Sequence, residues 1–233
     1  MRPRISIIVP TLDEGALIGR LLEQLQEARG SGHEVVLVDG GSRDDTKRLA
    51  APAVDLLLES RPGRGGQLNR GARASCGRWL WFLHADSLLP DGWLGHLERA
   101  CEEADGWGFF QVRLAGRRWS YRLIETSMNL RSCLTRMATG DQGIFVERSL
   151  FFAAGCFPDI PIMEDLVLSR RLRRRPPYCI RSPILTSARR WERHGILRTV
   201  LRMWTLRFAF WLGVPPRRLA RHYRPCSSPD TES

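Results

Sequence analysis

Along the first third of the chain, apolar residues come in short runs separated by longer stretches of mixed character. Ile5 to Pro10 is a β-branched run, the mark of a buried strand. Leu17, Ile18, Leu21, Leu22 and Leu25 then recur at helical spacing, with Glu23, Gln24, Glu27 and Arg29 on the opposite face. Gly30-Ser31-Gly32-His33 stops that helix, and Val35 to Val38 makes a second buried strand. Ser42, with Asp45 three residues on, resembles a helix N-cap. Val54 to Leu58 reads as a third strand, Gly66 to Cys76 as a helix, and Trp79 to Leu83 as a fourth strand. Strands alternating with helices at this spacing predict parallel βαβ units with right-handed crossovers. The fold class is therefore α/β, a Rossmann-like open twisted sheet with helices on both faces.

The second half is less regular. Gly108 to Leu114 alternates and reads as an antiparallel strand in an otherwise mostly parallel sheet. Trp119 to Met137 reads as a helix, Ile144 to Val146 as a short strand, and Glu164 to Arg174 as a basic helix. No linker or repeat interrupts the chain. One domain is expected over residues 1–191, an amphipathic helical extension over 192–224, and a disordered tail over 225–233, which lacks apolar residues to pack. Within the extension, Ile196 to Leu212 is rich in Leu, Met, Trp and Phe and is interrupted by Arg198, Arg202 and Arg207. Such a helix either packs on the core or lies in a membrane interface, with Trp204 and Trp211 at headgroup depth and arginines on anionic lipid. The interfacial reading is the one adopted, with an anionic membrane surface as a partner.

Composition changes this reading in two ways. The 233 residues, 43% of them hydrophobic, suffice for one sizeable core. The formal net charge is +11, and Lys47 is the only lysine, so the positive charge is almost all arginine. Between Asp165 and Asp230 the only acid is Glu192. One-sided charge of this kind attracts an anionic surface, nucleic acid or an anionic substrate. No zinc motif or RNP-like aromatic strand accompanies it, so no nucleic acid is expected, although a basic nucleic-acid-binding protein is the rival from another class. The six cysteines are scattered, without CxxC or Cys/His metal spacing, and read as reduced thiols. Four residues precede the first strand, and no stretch reaches the ~18 apolar residues of a spanning helix. The expected location is cytoplasmic, peripheral on the inner face of the cell membrane.

In open parallel sheets ligands bind outside the carboxyl ends of the strands. Four polar segments fall at such ends: Pro10-Thr11-Leu12-Asp13-Glu14, Asp39 to Thr46, Arg61 to Asn69, and His84-Ala85-Asp86. An aspartate after one strand is often only a turn former. Four such ends on one edge predict a binding site.

Together with Gly140-Asp141-Gln142-Gly143 and Met163-Glu164-Asp165-Leu166, these segments resemble the family 2 glycosyltransferases of the GT-A fold, over roughly residues 4 to 191. The resemblance extends to a small bacterial subgroup with His-Ala-Asp in place of the usual Asp-x-Asp. It implies an inverting transferase that moves a single sugar from a nucleotide-diphosphate donor, a UDP- or GDP-sugar, to an acceptor hydroxyl that is lipid-linked or membrane-associated. By the resemblance Asp39 accepts a hydrogen bond from the base, Pro10, Thr11 and Glu14 line base and ribose, and Arg64, Gln67 and Asn69 sit beside the nucleotide. Asp86 binds Mg²⁺ or Mn²⁺ bridging the diphosphate, and Asp165 is the catalytic base, kept anionic at a helix N-terminus. His84 stands where the family has an acid and, as a lone strand-end histidine, reads more readily as a hydrogen-bonded structural residue than as a ligand. Asp141, Gln142, Glu164, Arg190 and Trp191 are implied acceptor or diphosphate contacts. Ser187 replaces the glutamine of the family's Gln-x-x-Arg-Trp, which argues against processive synthesis. A nucleotidyltransferase shares the sheet and the metal-binding aspartate, but such enzymes open with a Gly-rich loop after the first strand, where this chain has Pro10 to Glu14.

Overall fold

The computed structural model describes residues 4–116, 118–186 and 195–221, so the expected tail lies outside the described residues. Seven strands form one sheet in the order β3-β2-β1-β4-β6-β5-β7. Its first half is β1 (Ile5–Thr11), α1 (Ile18–Gly30), β2 (Glu34–Asp39), α2 (Thr46–Ala50), β3 (Leu56–Glu59), α3 (Arg64–Ala74) and β4 (Trp79–Phe82). β1 pairs in parallel with β2 and β4, and β2 with β3. The register sets Thr11 beside Asp39 and Asp39 beside Glu59, while Ile8 sits beside Phe82, so all four strands run out toward the same edge. That alignment carries the polar strand ends to one place.

The second half comprises α4 (Trp93–Glu103), β5 (Trp107–Leu114), α5 (Trp119–Thr135), β6 (Phe145–Glu147), α6 (Arg148–Ala153), α7 (Glu164–Leu172), β7 (Tyr178–Thr186), α8 (Ile196–Trp211) and α9 (Pro216–Ala220). Here one expectation is corrected. The reversed strand is β6, antiparallel to both β4 and β5, whereas β5 runs with the others and pairs in parallel with β7. Trp107 to Phe110 are buried on both faces, while Gln111 and Arg113 turn outward between the buried Val112 and Leu114, so the alternation marks a covered face and says nothing of the strand's direction. A second correction concerns Ser42. The helix after β2 begins at Thr46, and the Ser42 hydroxyl turns back to Asp39 instead of capping it.

Two apolar layers sandwich the sheet. Leu21 and Leu25 of α1 and Leu94 and Leu97 of α4 fill one face, where Trp93 stacks on Trp81 at 5.2 Å between ring centroids. The Trp81 indole N–H donates to the Gly143 carbonyl at 3.0 Å, so its polar atom is satisfied inside the core. Leu68 and Ala72 of α3, Phe151 of α6 and Leu168 and Leu172 of α7 fill the other face around Phe82 and Phe157. Each such large side chain contributes about 1.5–3 kcal/mol by leaving water. Beyond these layers α5 and α8 pack on each other through Tyr121, Ile124 and Met128 against Val200 and Met203. Among the described residues no helix is long and apolar enough to cross a membrane.

Candidate active site

The loops after β1 and β2 are laced into one unit. The Asp39 carboxylate is completely buried and takes four hydrogen bonds: from the Gly41 and Ser42 backbone N–H groups at 2.9 and 2.8 Å, from the Ser42 hydroxyl, and from Thr11 Oγ1 at 3.3 Å. Asp13, held at φ 53°, accepts from Arg43 N–H at 2.8 Å, and its own N–H donates to Ser42 Oγ. Thr46 Oγ1 accepts from Glu14 N–H at 2.8 Å, and Asp44 Oδ2 accepts from Gly15 N–H at 2.8 Å. Desolvation pushes the Asp44 carboxyl up, but the hydrogen bonds to its anion from Thr46 and Gly15 together outweigh it and hold the group below the usual aspartate range. The sequence reading of this edge missed Asp13, Asp44 and Thr46. Their signal was a run of short polar side chains, which says turn and does not say to what.

Two side chains expected beside a nucleotide are occupied within the fold. The Gln67 amide is buried and donates to the carbonyls of Thr11 and Val38, both at 2.8 Å, tying α3 to β1 and β2. Asn69 exchanges two hydrogen bonds with the Phe157 backbone, at 2.8 and 3.0 Å. Gly65 is required by the same contact: a Cβ there would lie 2.8 Å from the Pro158 carbonyl oxygen, while a Cβ on Gly66 would meet open space. These residues bring the 157–165 segment against α3.

That segment delivers Glu164 and Asp165. Met163 adopts the left-handed conformation, φ 69°, at the N-cap of α7, which a β-carbon makes costly. The turn aims the first two helical side chains inward. Asp165 Oδ2 accepts from Gly140 N–H at 2.7 Å and Oδ1 from Leu166 N–H at 2.8 Å. Glu164, 4% exposed, pairs with Arg64 at 3.2 Å. Burial raises the Glu164 carboxyl above the ordinary glutamate range; Arg64 opposes this and Asp165 adds to it.

Arg64 and His84 complete the cluster. Arg64 Nη2 closely approaches His84 Nε2, and His84 Nδ1 lies 4.0 Å from Asp86 Oδ1. Gly140 permits this packing, since a Cβ there would strike both Arg64 and His84. Arg64, His84, Gly140, Glu164 and Asp165 line one recess, backed by Leu68, Phe82, Ile144 and Phe157.

Behind it lies a charge pair that the sequence reading half found. Asp141 is half-buried as a residue, yet its Oδ1 is sealed from solvent without a protein partner. Burial raises its carboxyl; the Thr139 hydrogen bond opposes, Asp165 adds, and Arg131 and Arg64 oppose. Arg131, on α5, was not anticipated. Its Nε is likewise sealed and unpartnered, and burial lowers its affinity for a proton while Asp141 and Asp165 raise it. Gln142 is fully buried, with its Oε1 accepting from Ser132 Oγ at 2.8 Å and Thr139 N–H at 3.0 Å. Arg190 and Trp191 lie outside the described residues.

Among the described residues no three His, Cys, Asp or Glu side chains converge to hold an ion by themselves. A divalent cation here would need oxygens from a ligand besides Asp86. That is the ordinary manner of Mg²⁺, which uses one or two carboxylates with substrate phosphates.

The sequence profile described as glycosyl transferase family 2 matches residues 6–154. A PGL/p-HBAD biosynthesis glycosyltransferase of Mycobacterium tuberculosis is 31% identical over 165 residues, covering 66% of this chain and 62% of that protein. The chain thus spans under two thirds of the aligned relative. Among solved structures, S. aureus TarS residues 1–349 superpose with a TM-score of 0.65 at 17% identity, covering 79% of this chain and 60% of that one. A mannosyltransferase from Pyrobaculum calidifontis, in complex with GDP-Man and Mn²⁺, superposes with a TM-score of 0.61 at 22% identity, covering 97% and 66%. At these identities the structural likeness establishes the GT-A type of fold.

Proposed function

Since the chain belongs to glycosyl transferase family 2, we propose that it transfers a single sugar from a nucleotide-diphosphate donor to an acceptor hydroxyl, with inversion at the anomeric carbon. The observation that carries this reading is the recess itself: a carboxylate held by two backbone N–H groups at a helix start, sharing one recess with the cationic Arg64 and with His84, whose Nδ1 lies 4.0 Å from the strand-end Asp86. The donor lies along the laced edge, against Pro10 and Glu14 and over the buried Thr11 and Asp39 that hold the edge in shape, with its diphosphate toward Arg64 and Asp86. Gln67, Asn69 and Gln142 act at one remove, by fixing the loops that meet it.

Asp86 would hold Mg²⁺ or Mn²⁺, which would supply positive charge against the negative charge growing on the leaving group. P. calidifontis mannosyltransferase, in complex with GDP-Man and Mn²⁺, and TarS residues 1–349, in complex with UDP-GlcNAc, support a nucleotide sugar and a divalent ion as the ligands to test first. Asp165 takes the proton of the acceptor hydroxyl. The hydroxyl oxygen forms its bond to the anomeric carbon as the bond to the diphosphate breaks, and that electron pair leaves with the nucleoside diphosphate. Arg64 supplies positive charge beside the diphosphate and is itself steadied by Glu164. The outward tryptophans of α8 support peripheral membrane contact, and hence a membrane-dissolved acceptor.

The test is a thermal-shift screen of UDP, GDP, CDP and dTDP, each with Mn²⁺, Mg²⁺ or EDTA, on wild type and Asp86→Ala. A ligand at ~100 times its dissociation constant stabilises by ~2.7 kcal/mol. One diphosphate is expected to stabilise the wild type only with metal, and Asp86→Ala to abolish the metal requirement or the shift. No shift with any nucleotide in any metal would sink the donor-site reading.

A further inference from the structure

The active-site recess is not the largest concavity. A groove of about 990 Å³ runs between the C-terminal end of α5, the outer side of α7 and the last turns of α8. Its charge is single-signed: Arg131, Arg170, Arg173, Arg174 and Arg207 line it, with no carboxylate among the lining residues. Arg170, Arg173 and Arg174 make no side-chain hydrogen bond or ion pair among the described residues. Its apolar part is Leu166, Val167, Phe210 and Trp211. Leu166 and Val167 directly follow Asp165, and Arg131 sits close enough to Asp165 for their charges to interact, so one end of the groove abuts the base. That same Arg131 holds a sealed, unpartnered Nε.

Beside the groove two helices turn apolar stripes to solvent. On α8, Leu201, Trp204, Phe208, Trp211 and Leu212 are exposed, with Trp204 at 68% and Trp211 at 75%. On α5, Trp119, Leu123, Leu130 and Leu134 are exposed at the same three-four spacing. The two helices pack on each other through their other sides.

We propose that the groove binds the phosphate-bearing head of an anionic amphiphile, presented by a bilayer against which the α5 and α8 stripes rest. This deepens the transferase reading, and rests on it, by naming the class of the acceptor. Arginine clusters fit phosphate, and an apolar stripe rimmed by arginine fits a membrane interface with acidic lipid. A second copy of this chain would set arginine against arginine, in a protein of net charge +11. A nucleic acid would leave nine large apolar side chains unburied.

The experiment is flotation with vesicles of phosphatidylcholine alone, with added phosphatidic acid, or with added phosphatidylserine. Wild type should float best with phosphatidic acid and hardly with phosphatidylcholine alone. Each basic side chain near such a surface is worth about fivefold in binding, so R170E/R174E should weaken partitioning at least about twentyfold. W204S/W211S should also release the protein. Arg99→Glu, on α4 at the opposite face of the sheet, should lose far less. R170Q/R174Q replaces the reversed pair if that variant melts early.

Equal flotation on all three vesicles, an equal loss in Arg99→Glu, or release by millimolar inorganic phosphate alone would each overturn the proposal. So would a dimer in solution that W204S/W211S dissociates, or RNA binding that depends on the same arginines. The nucleotide thermal shift is read on the same samples. Intact donor binding with failed flotation rejects the groove assignment alone, whereas the converse rejects the donor site.

Discussion

Two carboxylates at the same edge of the sheet have opposite surroundings. Asp39 is fully buried, and protein donors account for four hydrogen bonds to it. Asp141, two loops away, has a sealed oxygen with no donor, near an arginine with a sealed nitrogen that lacks an acceptor. Buried polar groups are normally paired, and an unmade bond costs about 1–3 kcal/mol. The satisfied loop is therefore architecture that happens to border the donor, and the unsatisfied cluster is where charge has been collected for another purpose. Stability and function should separate along this line.

The sharpest separation is expected at Asp165→Asn. The amide keeps the size of the carboxylate and one of its two backbone contacts, since its NH2 cannot accept from the other N–H, and it cannot take a proton. Transfer should fall by about 10²–10⁴, measured as initial rates, while the nucleotide-dependent rise in melting temperature persists. Asp39→Ala should do the reverse in kind. It strands the buried Ser42 N–H, removes the partner of the Ser42 hydroxyl and should cost about 3 kcal/mol of unfolding free energy in urea titrations, taking activity down through loss of fold. An Asp39→Ala protein of wild-type stability would erase the contrast.

Gly140→Ala sharpens the comparison from the cluster's side. The added methyl strikes the tips of Arg64 and His84, which can move, and leaves the backbone N–H that serves Asp165. Stability should change by under about 1 kcal/mol, with turnover falling roughly tenfold as Arg64 is displaced from the diphosphate path. Calorimetry and kinetics on one sample decide it.

The satisfied half was the legible half. Ile5 to Pro10 and Val35 to Val38 announce strands because both faces are buried, and Leu17 to Leu25 announces a helix because one face is. The strand-end motifs followed from that alternation. In the second half, the alternation along β5 reports burial and not direction, and the reversed strand is only three residues long. Side-chain roles were legible by type and not by partner. Gln67, Asn69 and Gln142 read as ligand contacts because an amide that holds a loop and one that holds a sugar look alike in sequence. Arg131 lies inside α5, a stretch whose mixed pattern marks no buried face. The left-handed turn at Met163 had no signal, because methionine is not a residue that favours it.

Asp141 offers the smallest effect and the most direct test of why the cluster is unsatisfied. Burial raises its carboxyl in the fold above the unfolded value of 3.8. The folded state then holds a proton that the unfolded state has released, so stability is full below 3.8 and declines as pH rises through the raised value. Glu164, raised for the same leading reason, steepens the decline over the corresponding range. Asp141→Asn removes one titration, so its melting temperature should exceed the wild type's at neutral pH and match it in acid, measured by scanning calorimetry across that interval. Stabilisation together with lost transfer would mean that the charge is kept for catalysis at the expense of the fold. A variant that is less stable at neutral pH would instead show that the Arg131–Asp141 attraction outweighs burial, and the cluster would then be architecture like the Asp39 loop.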